Sequence, residues 1–546
     1  MLQKCLTSFL LLLSVFAFSQ TKSTELINRP KLIVGVVVDQ MRWDFLYRYY
    51  DRYAANGGFK RMLNQGFACE NTFIPFAPTV TACGHATLYT GSVPAIHGIT
   101  GNAWWDKQMR RTVYCTEDNS AKPVGTSTAG VGEMSPRNML VTSICDELRL
   151  ATNFRSKVVG ISFKDRGAIL PAGHTANAAY WFDAKTGKFI TSDYYMKILP
   201  NWVTAFNDKK WPDILYKQNW NTLYPIATYV QSTGDEQPYE SKPLGADKKG
   251  FPYNLSEFIG KNYGVIGSTP HGSTLTWEMV KAAMAGERLG SDSIADFLAI
   301  SFSGPDYVGH SFGPNSIETE DTYLRLDKTL GDLLTHLDKE VGKEQYLLFL
   351  SSDHGVSQIP AFLNLNKLPG GSINDESWVT TMNSKMKDLY GVEEMIVSTY
   401  NYQIHLNHKT IDSAKLDIRK IKEYIIKYLE LQQGIAQVYD IDRMMDVPMN
   451  EKVRNMFSNG YFPRRNGDIQ IILEPHWIDG FSTGTTHGVW NPYDAHIPLL
   501  FYGWQIKPGK SNREIYMTDV APTLAALLKI QMPSGSVGTV ISEVVK

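Results

Sequence analysis

The chain has 546 residues, of which 43% are hydrophobic and 20% are charged, so it is long enough to bury a large globular core. Its 54 basic and 55 acidic residues leave a formal net charge of -1 at pH 7. This balance excludes the strongly basic surface of a protein that binds nucleic acid or anionic membranes, and a charged substrate must be met by a few placed side chains.

The N-terminal stretch MLQKCLTSFLLLLSVFAFSQ has the pattern of a secretory signal peptide. Lys4 forms a basic start, residues 6–18 are almost entirely apolar, and small residues precede a cleavage point before Gln20. The apolar run is too short to span a bilayer comfortably. We therefore expect residues 1–19 to be removed and residues 20–546 to form a periplasmic or secreted protein without a stable membrane anchor.

Four cysteines remain in the mature chain, and an even number in an oxidising compartment permits two disulfides. The sequence does not choose among the pairings, and all four thiols could equally be free and buried. The residues are Cys69, Cys83, Cys115 and Cys145.

Several apolar runs predict strands that are buried on both faces of a sheet. Continuous runs without alternation suit a parallel sheet that is covered by helices. Helical patterns lie between them, for example at residues 322–341 and 519–530. We predict an α/β fold with a doubly wound, mostly parallel sheet. The runs are KLIVGVVVDQ (31–40), KVVGISF (157–163), DFLAISFSGPD (296–306), YLLFLSSDHG (346–355) and IPLLFYG (497–503).

Two segments lack this rhythm and predict insertions into a single catalytic domain. Residues at about 175–290 are rich in aromatic residues, proline and glycine. Residues at about 366–480 contain their own helical pattern and a strand-like run. We expect both segments to form a cap beside the functional site.

Three of the predicted strands lead into an aspartate: Asp39, Asp306 and Asp353. In open α/β sheets the site lies beyond the carboxyl ends of the strands, so these carboxylates would converge on one edge. Each aspartate alone would be an ordinary helix cap or turn residue. Three together, two of them with a histidine nearby, favour a site.

Histidines complete a metal-binding pattern. His310 follows Asp306 by one helical turn, which places both side chains on one face. His354 adjoins Asp353, and His487 lies in the glycine-flanked loop GTTHG. Mixed histidine and carboxylate sites without cysteine suit catalytic zinc, with manganese or iron as competitors. Six ligands are many for one ion and natural for two. His85, inside a predicted helix with small neighbours, is interpreted as structural.

These residues, in this order, resemble the alkaline phosphatase superfamily, and within it the flavobacterial periplasmic, phosphate-irrepressible type with a threonine nucleophile. The resemblance covers nearly the whole mature chain. It is carried by PKLIVGVVVDQMRWDFLYRYY, PTVTACGHATLYTGSVPAIHGITGN, SFKDRGAILPAGH, YVGHSFGPNSIETEDTYLRLD, SSDHG and THGVWNPYDAHIPLLFYGWQI.

The resemblance implies a phosphomonoesterase with two Zn²⁺ ions that acts on small-molecule phosphate monoesters. We expect a monomer, although the sequence does not determine the oligomeric state. One zinc would be held by residues that match Asp306, His310 and His487. The other would be held by those that match Asp39, Asp353 and His354, together with the nucleophile Thr79. The residues that bind the phosphoryl oxygens match Asn102, Lys164 and Arg166.

The chemistry agrees with these roles. Zinc lowers the pKa of a bound hydroxyl, which would turn Thr79 into a nucleophile and yield a phosphothreonine. Thr79 stands where a helix N-cap would stand, which is its ordinary interpretation. Lys164 and Arg166 stand two apart in a predicted extended stretch, which would point both side chains to one side and Asp165 to the other. Together they suit a dianionic monoester.

Other classes are weighed against this one. A phosphodiesterase or nucleotide pyrophosphatase of the same superfamily would share Thr79 and the ligands, but the pair Lys164 and Arg166 argues against it. A sulfatase would need a C/S-x-P-x-R frame, which TACGHAT lacks. A cofactor-independent phosphoglycerate mutase would carry a serine nucleophile and no export signal. An exported zinc-binding protein without turnover would not need Thr79, Lys164 and Arg166.

Overall fold

The computed structural model describes residues 27–248, 250–480 and 483–545. The predicted signal peptide at residues 1–19 lies outside these ranges. Among the helices that are described, none is long and apolar enough to cross a membrane.

The strands of the described ranges are, in chain order, β1 (Leu32–Val38), β2 (Phe67–Phe73), β3 (Ala103–Asp106), β4 (Arg111–Tyr114), β5 (Pro123–Val124), β6 (Val158–Ser162), β7 (Ala178–Asp183), β8 (Lys188–Ser192), β9 (Asp296–Phe302), β10 (Tyr346–Ser351), β11 (Gly371–Ile373), β12 (Ile396–Ser398), β13 (Gln403–Leu406), β14 (Ile435–Asp440), β15 (Ile469–Leu473), β16 (Trp477–Asp479), β17 (His496–Ile497), β18 (Leu499–Gly503) and β19 (Gly509–Tyr516).

The α-helices of the same ranges are α1 (Phe45–Arg48), α2 (Gly58–Gln65), α3 (Thr81–Thr90), α4 (Pro94–His97), α5 (Ile144–Ala151), α6 (Asp165–Ala172), α7 (Asn201–Asp208), α8 (Trp211–Tyr216), α9 (His271–Glu287), α10 (Gly304–Phe312), α11 (Ile317–Leu337), α12 (Pro360–Leu365), α13 (Asp375–Tyr390), α14 (His408–Ser413), α15 (Ile418–Leu429), α16 (Glu451–Gly460), α17 (Pro492–Ala495), α18 (Val520–Leu528) and α19 (Ser542–Val545).

A central 11-stranded sheet organises the molecule in the order β17-β2-β18-β10-β1-β9-β6-β7-β8-β5, and β19 also pairs with β2. The inner strands β10, β1, β9, β6 and β7 run parallel to one another. Every residue of β1 is buried, and its side chains alternate between two cores. Leu32 and Val34 belong to one hydrophobic cluster and Ile33 and Val37 to the other. The predicted α/β fold with a mostly parallel sheet is confirmed.

One predicted strand differs in direction. The run at residues 497–503 forms β17 and β18, and β18 pairs antiparallel with β10. Four of the five residues of β18 are buried, as in the parallel strands, because side chains pack on both faces of the sheet here as well. Two-sided burial removes the alternation that marks most antiparallel strands, so the sequence pattern could not reveal the direction.

The two segments that lack the core rhythm fold differently from each other. Within residues 175–290, β7 and β8 join the central sheet and α9 packs beside it. Residues 366–480 form a separate four-stranded sheet, β12-β13-β15-β14, over a hydrophobic cluster of their own that includes residues of α13 and α15. The helix and strand predicted there are α15 and β15. The division into one catalytic domain with insertions stays a prediction.

Cys69, Cys83, Cys115 and Cys145 are buried and unpaired in the described structure. Burial raises the pKa of the Cys83 thiol well above its usual value, so this side chain is a protonated part of the core.

Candidate active site

The three predicted aspartates meet at one edge of the central sheet. Asp39 directly follows β1, and Asp353 lies two residues beyond β10. Asp306 lies in the first turn of α10, which begins just after β9. Since β10, β1 and β9 are neighbours in the parallel sheet, their carboxyl ends bring distant parts of the chain together. All three carboxylates are buried.

With three histidines, these aspartates form two groups whose ligand atoms lie close enough to hold a metal ion. One group is Asp306, His310 and His487, and the other is Asp39, Asp353 and His354. In each group every pair of ligand atoms lies within 4.8 Å. This is the grouping that the sequence resemblance implied.

Within the first group, Nε2 of His310 lies 3.2 Å from Oδ1 of Asp306, and Nε2 of His487 lies 3.7 Å from the same oxygen. Within the second, Nε2 of His354 lies 3.4 Å from Oδ2 of Asp353 and 3.5 Å from Oδ1 of Asp39. The imidazoles of His354 and His487 stack with their centroids 3.4 Å apart, so the two groups adjoin.

Each of the three histidines has its Nδ1 atom directed at a backbone carbonyl oxygen. The distances are 2.8 Å from His310 to Thr485, 2.8 Å from His487 to Thr79 and 3.0 Å from His354 to Gly355. A carbonyl oxygen can only accept, so Nδ1 carries a proton in each ring and Nε2 is the atom that faces the carboxylates. This is the arrangement by which metal-binding histidines are oriented in proteins.

The carboxylates influence one another strongly. Burial, together with nearby Asp306 and Asp353, raises the pKa of Asp39 well above its usual value. Burial acts in the same direction on Asp306, but His310 and Lys164 lower the pKa of Asp306 well below its usual value. Burial, with His354 and His310 close by, also lowers the pKa of His487, which keeps its ring neutral. The site gathers more negative charge than its own cationic side chains balance.

Lys164 lies between the two groups. Its Nζ atom is 2.7 Å from Oδ2 of Asp39 and 2.5 Å from Oδ2 of Asp306. Lys164 is the N-cap residue of α6, and Arg166 lies in the first turn of that helix. The prediction of an extended stretch is therefore wrong here, because β6 ends at Ser162 and the chain turns into a helix at Asp165.

The guanidinium of Arg166 is oriented by hydrogen bonds that run through Tyr114 to Asp165. Its Nη1 atom donates to the hydroxyl of Tyr114 at 3.0 Å, and that hydroxyl donates to Oδ1 of Asp165 at 2.8 Å. Asp165 also accepts a hydrogen bond from Thr116 at 2.7 Å. Asp165 thus supports Arg166 through Tyr114 rather than facing away from it.

Thr79 is fully buried two residues before α3. Its hydroxyl donates to the carbonyl of Val489 at 2.8 Å and lies 3.3 Å from Oδ2 of Asp494. The N-cap of α3 is Val80, which makes no side-chain cap, so the interpretation of Thr79 as a helix cap is wrong. Its hydroxyl is not used to hold the helix.

Asn102 lies next to the start of α3. Its Oδ1 atom accepts a hydrogen bond from the backbone nitrogen of Ala82 at 2.9 Å. This contact fixes which end of the amide faces the helix, and it leaves the Nδ2 hydrogens for another acceptor.

Sequence reasoning gave no site role to three buried side chains that touch this site, and one of them is Thr81, whose hydroxyl lies 3.4 Å from Nε2 of His354. Nδ1 of His85 lies 3.3 Å from Oδ2 of Asp353, and its Nε2 lies 2.9 Å from the hydroxyl of Ser301. Asp494 accepts hydrogen bonds from the backbone nitrogens of Gly488 and Val489 at 2.8 and 3.0 Å, beside Thr79. These contacts join residues that are far apart in the chain, and the available signal was only that all three residues lie in the long blocks around the site.

Two clefts reach these residues from the surface. A cavity of about 690 Å³ is lined by Lys164 and Arg166 together with Phe163, Trp181 and Tyr307. A second cleft of about 510 Å³ has His487 in its wall. A small molecule can therefore approach both the basic pair and a metal-ligand group.

Comparisons with known proteins identify the relatives of this chain. The family model described as type I phosphodiesterase / nucleotide pyrophosphatase matches residues 33–494. Alkaline phosphatase PhoV of Synechococcus elongatus is 52% identical over 525 residues, which are 96% of this chain and 94% of that protein. Alkaline phosphatase PafA of Elizabethkingia meningoseptica is 49% identical over 527 residues, 96% of each chain.

The fold is also that of a solved structure. The crystal structure of wild-type alkaline phosphatase PafA superposes with a TM-score of 0.93 at 48% identity, over 96% of this chain and 100% of that one. The likeness therefore extends over the central sheet and both intervening segments.

Proposed function

Because the chain belongs to the type I phosphodiesterase / nucleotide pyrophosphatase family and is a homologue of the alkaline phosphatases PafA and PhoV, we propose that it is a phosphomonoester hydrolase of the alkaline phosphatase type. In this proposal it uses two zinc ions and a phosphothreonine at Thr79, and it releases inorganic phosphate from small-molecule phosphate monoesters. The observation that carries the proposal is the convergence of two histidine and carboxylate groups with Lys164 at one edge of the sheet.

The donor set fits zinc. Neutral imidazoles and carboxylates are zinc ligands, and three protein ligands per ion leave a position open for water or substrate. Oδ1 of Asp39 is buried without a hydrogen-bond partner among the described residues, which suits an oxygen that would bind a metal ion. Asp306, His310 and His487 would hold one ion. Asp39, Asp353 and His354 would hold the other, with Thr79 as a further ligand.

The charge of the site favours bound cations. Asp39, Asp306 and Asp353 are buried together, and the ammonium of Lys164 is shared between two of them. Two divalent cations would reverse the sign of this cluster, and a positive site attracts a monoester dianion more strongly than a diester monoanion.

Thr79 is the nucleophile that the sequence resemblance proposes, and Thr81 is the alternative, because its hydroxyl lies 3.4 Å from Nε2 of the proposed ligand His354. Zinc, when bound, lowers the pKa of a coordinated hydroxyl or water and stabilises charge that develops on the leaving oxygen. The Thr79 oxygen would form a bond to phosphorus while the bond to the alcohol breaks, and water would then cleave the phosphothreonine. The start of α3 two residues further on favours negative charge at this position.

Three side chains would bind the phosphoryl oxygens. The planar guanidinium of Arg166, which is oriented by its hydrogen bond to Tyr114, would donate several N–H groups, and Lys164 would contribute its ammonium group. Asn102 would donate through Nδ2, since its Oδ1 is already engaged by Ala82. Phosphoryl transfer depends mainly on such positioning and charge stabilisation.

The matching family description makes phosphodiester or nucleotide pyrophosphate hydrolysis the second candidate. Thr79 and the six metal ligands would serve either reaction. The pair Lys164 and Arg166 favours the monoester, because both residues reach the cavity beside the site and together would balance the additional charge of a dianion.

Two further properties are proposed on the sequence alone. The pattern of residues 1–19 supports export to the periplasm or the exterior by a cleaved signal peptide. We also propose that the protein works as a monomer.

Replacing Thr79 tests the nucleophile. If Thr79 is the nucleophile, we expect Thr79→Ala to keep its zinc and to lose at least about 10³-fold in kcat, whereas Thr81→Ala should show this loss if the hydroxyl beside His354 reacts instead. Thr79→Ser should retain part of the activity. The measurements are zinc content, kcat, and acid-quenched labelling of the wild-type protein with a radioactive monoester, in which the label should be on Thr79.

The matched control is Thr204→Ala, at an exposed threonine in α7. It should behave as the wild-type protein does. Full activity in Thr79→Ala, or label on a residue other than Thr79, would refute the assignment.

A further inference from the structure

Gln40 connects the two metal-ligand groups. Its backbone N–H donates to Oδ1 of Asp353 at 3.1 Å, and its side-chain Nε2 donates to Oδ1 of Asp306 at 2.8 Å. The residue directly before it is Asp39. One buried residue therefore contacts carboxylates of both groups and adjoins a third.

The backbone of Gln40 is in the left-handed region, with φ at 68°. This conformation is unfavourable for most residues and is taken up by glycine without cost. Position 40 nevertheless carries a buried glutamine, although glycine would suit this backbone conformation better. Non-glycine residues with such backbone geometry persist where the surrounding structure requires their side chains.

The side chain of Gln40 is also fixed from the opposite side. A Cβ atom at Gly309 would overlap Oε1 of Gln40, so the absence of a side chain at position 309 gives the amide its room. Gly309 immediately precedes the ligand His310 in α10. The glutamine amide is thus held against the helix that carries two ligands of one group.

We infer that Gln40 is a positioning residue that orients Asp306 as a ligand and so strengthens the metal group of Asp306, His310 and His487. The inference rests on the proposed function. The hydrogen bond from Nε2 of Gln40 restricts rotation of the Asp306 carboxylate. Because the backbone N–H of Gln40 also binds Asp353, this one residue fixes the two carboxylates relative to each other. Partners of this kind around metal ligands typically change metal affinity or activity by about 10- to 100-fold when removed.

Two variants distinguish the effect of the Gln40 side-chain amide from the effect of its backbone conformation. Gln40→Gly removes the side chain and relieves the left-handed backbone, and Gln40→Glu keeps the shape but cannot donate to Asp306 when ionised. Both keep the backbone N–H that donates to Asp353. We expect each variant to bind one zinc ion with wild-type affinity and the other with an affinity lower by about 10-fold or more. A competition titration with a chromophoric chelator measures both affinities.

The weakened zinc is identified by comparison with His310→Ala, which removes a ligand of the same group. A purely structural role for Gln40 would show as a lower melting temperature of the metal-free protein. We expect Gln40→Gly to melt no lower than the wild type when both are metal-free, since glycine suits this backbone.

The matched control is Gln505→Gly, at an exposed glutamine with φ at 58°. It relieves the same backbone geometry and should bind both zinc ions as the wild type does. Unchanged affinity for both ions in Gln40→Gly and Gln40→Glu, or equal weakening of both, would overturn the inference. A wild-type protein that binds no zinc would overturn the proposed function and this inference together.

Discussion

At the scale of single residues, the chemistry depends on side chains whose orientation is fixed by neighbours that do not react. His310, His354 and His487 each donate a hydrogen bond from Nδ1 to a backbone carbonyl, so each presents Nε2 to its group. The hydroxyl of Tyr114 orients Arg166 by accepting a hydrogen bond from its guanidinium. Roles at this scale are therefore divided between groups that bind and groups that orient.

Arg166→Ala should lower kcat/KM for an aryl phosphate monoester by about 10²- to 10³-fold, because a preorganised donor to the phosphoryl group is lost. The loss for the methyl diester should be smaller, since the diester carries less negative charge. Tyr114→Phe should reduce monoester hydrolysis less than Arg166→Ala does. The tyrosine variant keeps the charged guanidinium of Arg166 and removes only one hydrogen bond that orients it.

The measurement is kcat/KM for both substrates with each variant, and Arg155→Ala at an exposed arginine is the control. An equal fall for monoester and diester in Arg166→Ala would show that this side chain does not distinguish the dianion.

At the scale of elements, helix α3 packs against Asp353, just beyond the carboxyl end of β10. Gly84 makes this contact possible, because a Cβ at this position would overlap the backbone of Asp353. Gly84 lies inside the helix, so its conformation is ordinary and its lack of a side chain is what the packing requires. His85, the next residue, contacts the Asp353 carboxylate.

Gly84→Ala should therefore destabilise the protein by about 1–3 kcal/mol and weaken zinc binding, because α3 must move away from Asp353. Thermal unfolding and the chelator titration measure the two effects. The control is Gly234→Ala, where the nearest atom to a new Cβ would be 3.5 Å away. A Gly84→Ala protein with wild-type stability and zinc affinity would refute the close contact.

The elements were predictable where burial dictates their pattern. β1, β6, β9 and β10 are buried on both faces, so their apolar runs identified them and the aspartates beyond them. The antiparallel direction of β18, the helical turn at Arg166 and the contact of the Thr79 hydroxyl were not predicted. Each is decided by packing against distant segments, such as the contact of Thr79 with Val489, and no local pattern records such contacts.

At the scale of the whole molecule, the site joins parts of the chain from Asp39 to His487 at one edge of the sheet. Its carboxylates are buried beside one another, and their mutual repulsion opposes folding unless cations are bound. Ions that bind only the folded state add their binding free energy to its stability.

Removal of metal should therefore abolish hydrolysis and lower the melting temperature by several degrees. At a free zinc concentration of 100 times the dissociation constant, each ion stabilises the folded state by about 2.7 kcal/mol. Calorimetry before and after chelation, and after zinc is restored, measures the change, and Asp39→Asn should lessen it. A melting temperature that does not respond to metal would contradict the two-ion site.

The central claim is that the site is built for a dianionic monoester, and the most direct test is kcat/KM of the zinc-loaded wild-type protein on an aryl phosphate monoester and on its methyl diester. We predict a preference for the monoester of at least about 10²-fold, because the positive charges of Lys164, Arg166 and the metal ions attract a dianion more strongly than a monoanion. A preference for the diester would leave Thr79 and the metal ligands in place but contradict the substrate class and the roles of Lys164 and Arg166.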